Sequence, residues 1–140
     1  MLKQMLMEWV QKQRWKKLYV DEDFDVEDYL KKITQYFDAE KAAGIKLIIV
    51  YEFHDSGKND GAWTIRINDG KCLLEKGIAD DFNTSLYMTA ETYRRILMGR
   101  LDYARLAYST GAVRFFGSTL GHRELNSYLS IPKEAGIAAL

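Results

Sequence analysis

The sequence predicts an α+β domain, a five-stranded sheet with helices packed on one face and an extra amphipathic helix at the N-terminus. Three observations carry that prediction. Apolar residues recur at helical spacing up to Gly44, turn β-branched and alternating between Ile45 and Met88, and return mainly to helical spacing after Thr89. Asp69-Gly70 joins two alternating runs, the strongest short hairpin signal in the chain. Strands and helices do not alternate one by one, which excludes a regular βαβ repeat.

Leu2, Met5, Leu6, Trp9 and Val10 define an amphipathic helix from Leu2 to Leu18 that carries five basic residues and one acid. Its apolar stripe is expected to pack on the outer sheet face or on a partner subunit. Membrane docking competes with that reading, because Lys3, Lys12, Arg14, Lys16 and Lys17 with Trp9 and Trp15 suit an anionic lipid surface. An acidic cluster from Asp21 to Asp28 follows, with Asp25 as N-cap of a helix whose face is Val26, Tyr29, Leu30, Ile33, Tyr36 and Phe37 and whose end is Gly44.

Ile45 to His54 reads as the first strand, and Asp55 to Gly61 as a loop. Trp63, Ile65 and Ile67 alternate with polar residues in the second strand. Lys71 to Lys76 makes the third. Ser85 to Thr89 alternates as the fourth, and Thr89 caps a helix to Met98, with Gly99 beyond it. A short helix from Asp102 to Thr110 ends at Gly111. Ala112 to Phe116 is the fifth strand, and a last helix from Leu120 to Leu129 stops before Pro132. No repeat or low-complexity linker divides the chain, so residues 1–20 are assigned to the N-terminal helix and 21–140 to one domain.

Bulk properties remove several function classes. A chain of 140 residues buries about 70% of its unfolded surface in one core. With 20 basic and 20 acidic residues it has no net field to attract nucleic acid. Its single cysteine, Cys72, forms no intramolecular disulfide, so a reducing compartment, the cytoplasm, is expected. Glu8, Lys12 and Arg14 interrupt any apolar leader stretch, and the aliphatic run Leu47 to Val50 is far short of the ~20 residues of a membrane span.

Catalytic and metal chemistry find little support. The two histidines, His54 and His122, sit in no nucleophile or metal signature, and the acidic cluster lacks the glycine and spacing of a calcium loop. Ser56-Gly57-Lys58 lacks the frame of a phosphate loop. Cys72 reads as a small core residue. No cofactor, no metal and no catalytic role are expected.

Four segments in order resemble the sterol-carrier-protein-two family: Trp63 to Gly70, Asn83 to Glu91, Ile96 to Asp102, and Ala107 to Gly117. They supply a tryptophan strand entering an Asp-Gly turn, a strand entering a helix at threonine, a Gly-x-Leu-Asp junction, and a short strand bounded by glycines. The resemblance spans Asp25 to Leu129. Asn83 stands where that family often has aspartate, Ser118 where an acid is common, and residues 112–116 lack its lysines.

The resemblance implies a hydrophobic tunnel between helices and sheet that binds a sterol, fatty acyl chain, acyl-CoA or phospholipid without catalysis. The alternative is an interaction or dimerisation module that presents a hydrophobic substrate to a separate enzyme. Alternation places Trp63, Ile65, Ile67, Thr84, Leu86, Met88, Val113 and Phe115 on one sheet face. The resemblance adds Ile49, Tyr51 and Phe53 to that face, to be met by Ile33 and Phe37 of one helix, Ile96, Leu97 and Leu101 of others, and Leu125 of the last. Met88 and Met98 are flexible enough to adapt to different ligands. By the same alternation Ile48, Val50, Tyr87 and Phe116 point outward and need a cover.

Overall fold

A computed structural model describes residues 2–6, 24–97, 109–119 and 121–132. Its labelled elements are α1 (Val26–Thr34), β1 (Leu47–Phe53), β2 (Gly61–Asn68), β3 (Lys71–Lys76), β4 (Thr84–Met88), α2 (Ala90–Leu97), β5 (Arg114–Gly117) and α3 (Gly121–Ser127). The strands form one sheet in the order β3-β2-β1-β4-β5. The fold is therefore the expected α+β arrangement.

The hairpin signal decides one half of the sheet. Asp69 and Gly70 both have positive φ, 51° and 71°, which gives the tight turn that sets Asn68 against Lys71. β2 also pairs antiparallel with β1. The other half rests on a crossover that alternation does not reveal: β4 runs parallel to β1, with Ile49 opposite Thr84 and Phe53 opposite Met88, and β5 pairs antiparallel beyond it.

α1 begins as expected, since Asp25 Oδ1 accepts the Asp28 N–H at 2.9 Å. It ends ten residues earlier than the predicted stop at Gly44, for a backbone reason. Phe37 bridges to Leu129, the Asp38 N–H donates to the Tyr128 carbonyl at 2.8 Å and the Ser130 N–H to the Tyr36 carbonyl at 2.8 Å. That pairing commits groups a continuing helix would need, and turns carry the chain on to Gly44 at φ 74°. Thr89 caps α2 as expected, its Oγ1 accepting the Thr92 N–H at 3.0 Å. β5 starts two residues later than expected and includes Gly117; α3 is shorter at both ends.

The inner sheet face and the helices share one apolar cluster. On the outer face, the described cover comes from the connection between β3 and β4. Residues 2–6 are helical, but their side chains are exposed, Leu2 at 74%. Ile48 and Val50 cluster with Ala79, with Phe82 packed against them, both from the connection between β3 and β4. Tyr87 is half-buried, and Phe116 stays 53% exposed. Trp9, Val10 and the other residues of the predicted helix beyond residue 6 lie outside the described residues.

Candidate functional site

The register brings the sequence-predicted lining residues together. Ile49 faces Ile65, Tyr51 faces Trp63 and Leu86, and Leu86 faces Phe115 across neighbouring strands. Ile33, Ile49, Tyr51, Phe53, Trp63, Ile65, Ile67, Leu86, Met88, Ile96, Leu97 and Leu125 are all buried in the inner cluster, and Phe37 and Phe115 pack half-buried at its edge. Leu101 and Met98 lie outside the described residues. Cys72 also packs against this cluster, and burial pushes its thiol up to about 11, so it behaves as the core residue expected.

Helical spacing explains why α1 and α2 reach the sheet as they do. Val26, Tyr29, Leu30 and Ile33 fall on one stripe of α1, and Ala90, Tyr93, Ile96 and Leu97 on one stripe of α2. Tyr93 is the hub that the predicted lining set omitted. Its ring lies 5.8 Å from Tyr29, 5.7 Å from Tyr51 and 5.4 Å from Phe53, and Phe24 and Trp63 complete the group. Its spacing from Ala90 and Ile96 was the available signal. Burial, reinforced by the neighbouring Tyr29 and Tyr51 phenols, holds the Tyr93 phenol well above its ordinary range, and burial alone does the same for Tyr29. These groups stay neutral and offer no acid-base chemistry near pH 7.

α3 approaches β4 so closely that Gly121 lies directly on Thr84, and any Cβ at residue 121 would overlap the Thr84 side chain. Thr84 Oγ1 is buried there with no hydrogen-bond partner among the described residues. The apolar rim includes Cys72 and Leu74 on the β3 edge. Phe115 marks the β5 edge, Ile45 precedes β1, and Phe37, Tyr128 and Ile131 follow the ends of α1 and α3, where residues 36–38 pair with residues 128–130.

Two cavities flank the carboxyl ends of the parallel strands. One of about 410 Å³ is lined by Phe24, Asp55, Ser56, Asn59, Ala90, Glu91 and Arg94. The second, of about 380 Å³, is lined by His54, Asp55, Tyr87, Thr89, Thr92, Gly111, Ala112 and Arg114. The first is braced by structure: Asn59 Oδ1 accepts the Val26 N–H at 3.0 Å while its Nδ2 donates to the Phe24 carbonyl at 2.9 Å. Glu91 there binds Arg94 and Arg95, which hold its carboxyl down at about 2. His122 contributes no described side chain. Among the described residues no cluster of histidine, cysteine and acids has the makeup of a metal site, and no helix is long and apolar enough to cross a membrane.

No family model and no curated protein matches the chain. Solved structures do. A double mutant of the sec-alkyl sulfatase PisA1 matches with TM-score 0.66 and 18% identity over 79% of this chain, and the stereoselective inverting Pisa1 from Pseudomonas sp. with TM-score 0.59 and 19% identity over 71%. What is shared is the fold. This chain spans only 17% and 15% of those two proteins. A crystal structure of sterol carrier protein 2 is also similar, at TM-score 0.44 and 18% identity, over 73% of this chain and 82% of that one.

Proposed function

We propose that the chain binds the hydrocarbon part of a lipid-like molecule against the inner sheet face, as a carrier or as a module that offers it to a separate enzyme, and that it performs no chemistry itself. The observation that carries this reading is the apolar continuity of that face across the sheet, from Leu74 on β3 to Phe115 on β5, with partly buried rings left at its rim. A ligand chain entering at such a rim gains about 0.8 kcal/mol per methylene removed from water, which offsets the cost of association when several are buried. The same fold occurs as a small segment of a sec-alkyl sulfatase. The tunnel, the cytoplasmic setting, transient membrane contact through the N-terminal segment and a homodimer belong to the same proposal.

A second reading, a scaffold or dimerisation module, draws on the aromatic group around Tyr93, which fills the space beneath one end of the sheet with side chains of the protein itself. One experiment separates the two. Native mass spectrometry of the purified protein, followed by titration with a fluorescent fatty acid, should show a co-purified or displaceable lipid, and Phe115→Glu should weaken it about tenfold. A protein that carries no lipid and binds none of the probe leaves only the scaffold.

A further inference from the structure

The cavity between His54, Tyr87, Thr89, Thr92 and Arg114 is lined by residues outside the inner apolar cluster. β1 and β4 run parallel and end side by side, and the His54 N–H extends their ladder to the Met88 carbonyl at 3.2 Å. His54 and Thr89 therefore leave the sheet together. Arg114 stands opposite Tyr87 on β5, so its side chain shares the outer face with the tyrosine.

Several groups around this cavity are hydrogen-bond donors with capacity to spare, beside the one carboxylate, Asp55, among its described lining residues. Among the described residues Arg114 forms no ion pair, whereas Arg66, Arg94 and Arg95 are all held by carboxylates. The Thr89 and Thr92 hydroxyls lie 3.0 Å apart, and the Thr92 N–H already donates to Thr89 Oγ1. Two hydroxyl protons serve one mutual bond there, which leaves one proton for an outside acceptor. The His54 ring lies flat on the Tyr87 ring at 4.1 Å and 12°, and its Nδ1 is 3.1 Å from Asp55 Oδ2, so Asp55 fixes the orientation of the imidazole at the cavity. Asp55 and Gly111, both in its lining, are held at positive φ, 51° and 79°.

We propose that this cavity is a binding site for an oxyanion, a phosphate, sulfate or carboxylate group, held by the Arg114 guanidinium and the Thr89–Thr92 hydroxyl pair against the His54–Tyr87 stack. Arginine suits that role because its planar fork donates two parallel bonds to such a group. The anion comes either free or as the head of an amphiphile. The proposal does not rest on the lipid reading, because a bare anion has no part that the inner face recognises.

The test is amide-shift mapping by NMR on the full chain, titrated separately with inorganic phosphate and with dodecyl phosphate below its micelle threshold. Saturable shifts at His54, Thr92, Gly111 and Arg114, weakened about tenfold or more by Arg114→Gln and partly restored by Arg114→Lys, support the site. Equal affinity for the two probes identifies a free anion; tighter dodecyl phosphate, with added shifts at Leu86 and Phe115, identifies an amphiphile head. Phosphate and dodecyl phosphate that leave these amides unmoved, or shifts that persist unchanged in Arg114→Gln, overturn it. Fatty-acid binding retained in that case leaves the inner-face reading intact.

Discussion

The two faces of this sheet are protected in different ways, and β1 shows the contrast within one strand. Leu47, Ile49, Tyr51 and Phe53 are buried by helices as part of a broad apolar cluster, while Ile48 and Val50, one residue out of phase, are buried by a loop. The helix cover is held by dispersion and loss of apolar surface from water. The loop cover is pinned by polar bonds. Thr64 Oγ1 donates to the Gly77 carbonyl at 2.8 Å and accepts the Ala79 N–H at 3.2 Å, Asn83 Oδ1 accepts the Ile48 N–H at 2.7 Å, and Arg66 grips Asp81 at 3.1 Å. A strand buried on both sides need not alternate, which is why the phase of Leu47 to Phe53 is ambiguous in sequence.

Substitutions on the two covers should differ accordingly. Tyr93→Ala removes the ring that touches both helix and sheet, and should cost about 3–5 kcal/mol in urea unfolding; a loss below about 1 kcal/mol would mean that the aromatic group is not the anchor of the inner cover. Gly121→Ala should cost about 1–3 kcal/mol because the methyl must displace Thr84 or α3, and an unaffected midpoint would show that α3 can slide on β4. On the outer side Asn83→Ala should cost only about 1 kcal/mol, since it deletes one bond at a partly solvated strand end, while Asn83→Asp should keep the bond through its carboxylate oxygen.

The smallest effect is electrostatic and separates α2's exposed side from its buried one. Arg94 and Arg95 lower the Glu91 carboxyl from 4.5 to about 2, so its contribution is fully present above the unfolded value and disappears as pH falls from 4.5 through 2. Glu91→Gln should flatten that part of the stability profile slightly, by lowering the neutral-pH midpoint a little and leaving the midpoint near pH 2 unchanged. The tyrosines act at the other extreme. Tyr29 and Tyr93 remain protonated in the fold above pH 10.0, where an unfolded phenol ionises, so stability should decline as pH rises past that point, and less so in Tyr93→Phe.

Much of this was legible because it depends on local chemistry. Asp25, Asp69-Gly70 and Thr89 announce a cap, a turn and a second cap, and the alternation of Trp63, Ile65 and Ile67 sets the inner face. What escaped depends on distant partners. Nothing near Thr34 announces that residues 36–38 will pair with residues 128–130, and nothing in Gly77 to Asn83 marks a lid over Ile48. The predicted lining residues cluster because periodicity assigns faces well. His54 and Arg114, sixty residues apart in sequence, become neighbours only through the parallel pairing of β1 with β4 and the addition of β5.

That parallel pairing also orders the route to the native state. The β2–β3 hairpin closes over two residues, and β1 can join it by a short loop, so three strands assemble from nearby chain. β4 must instead pass the whole hairpin to reach the far side of β1, a closure spanning more than thirty positions that is slow to form. Until it arrives, one flank of the central strand stays open to pairing with another molecule, and the docking of β4 is the step at which refolding competes with aggregation.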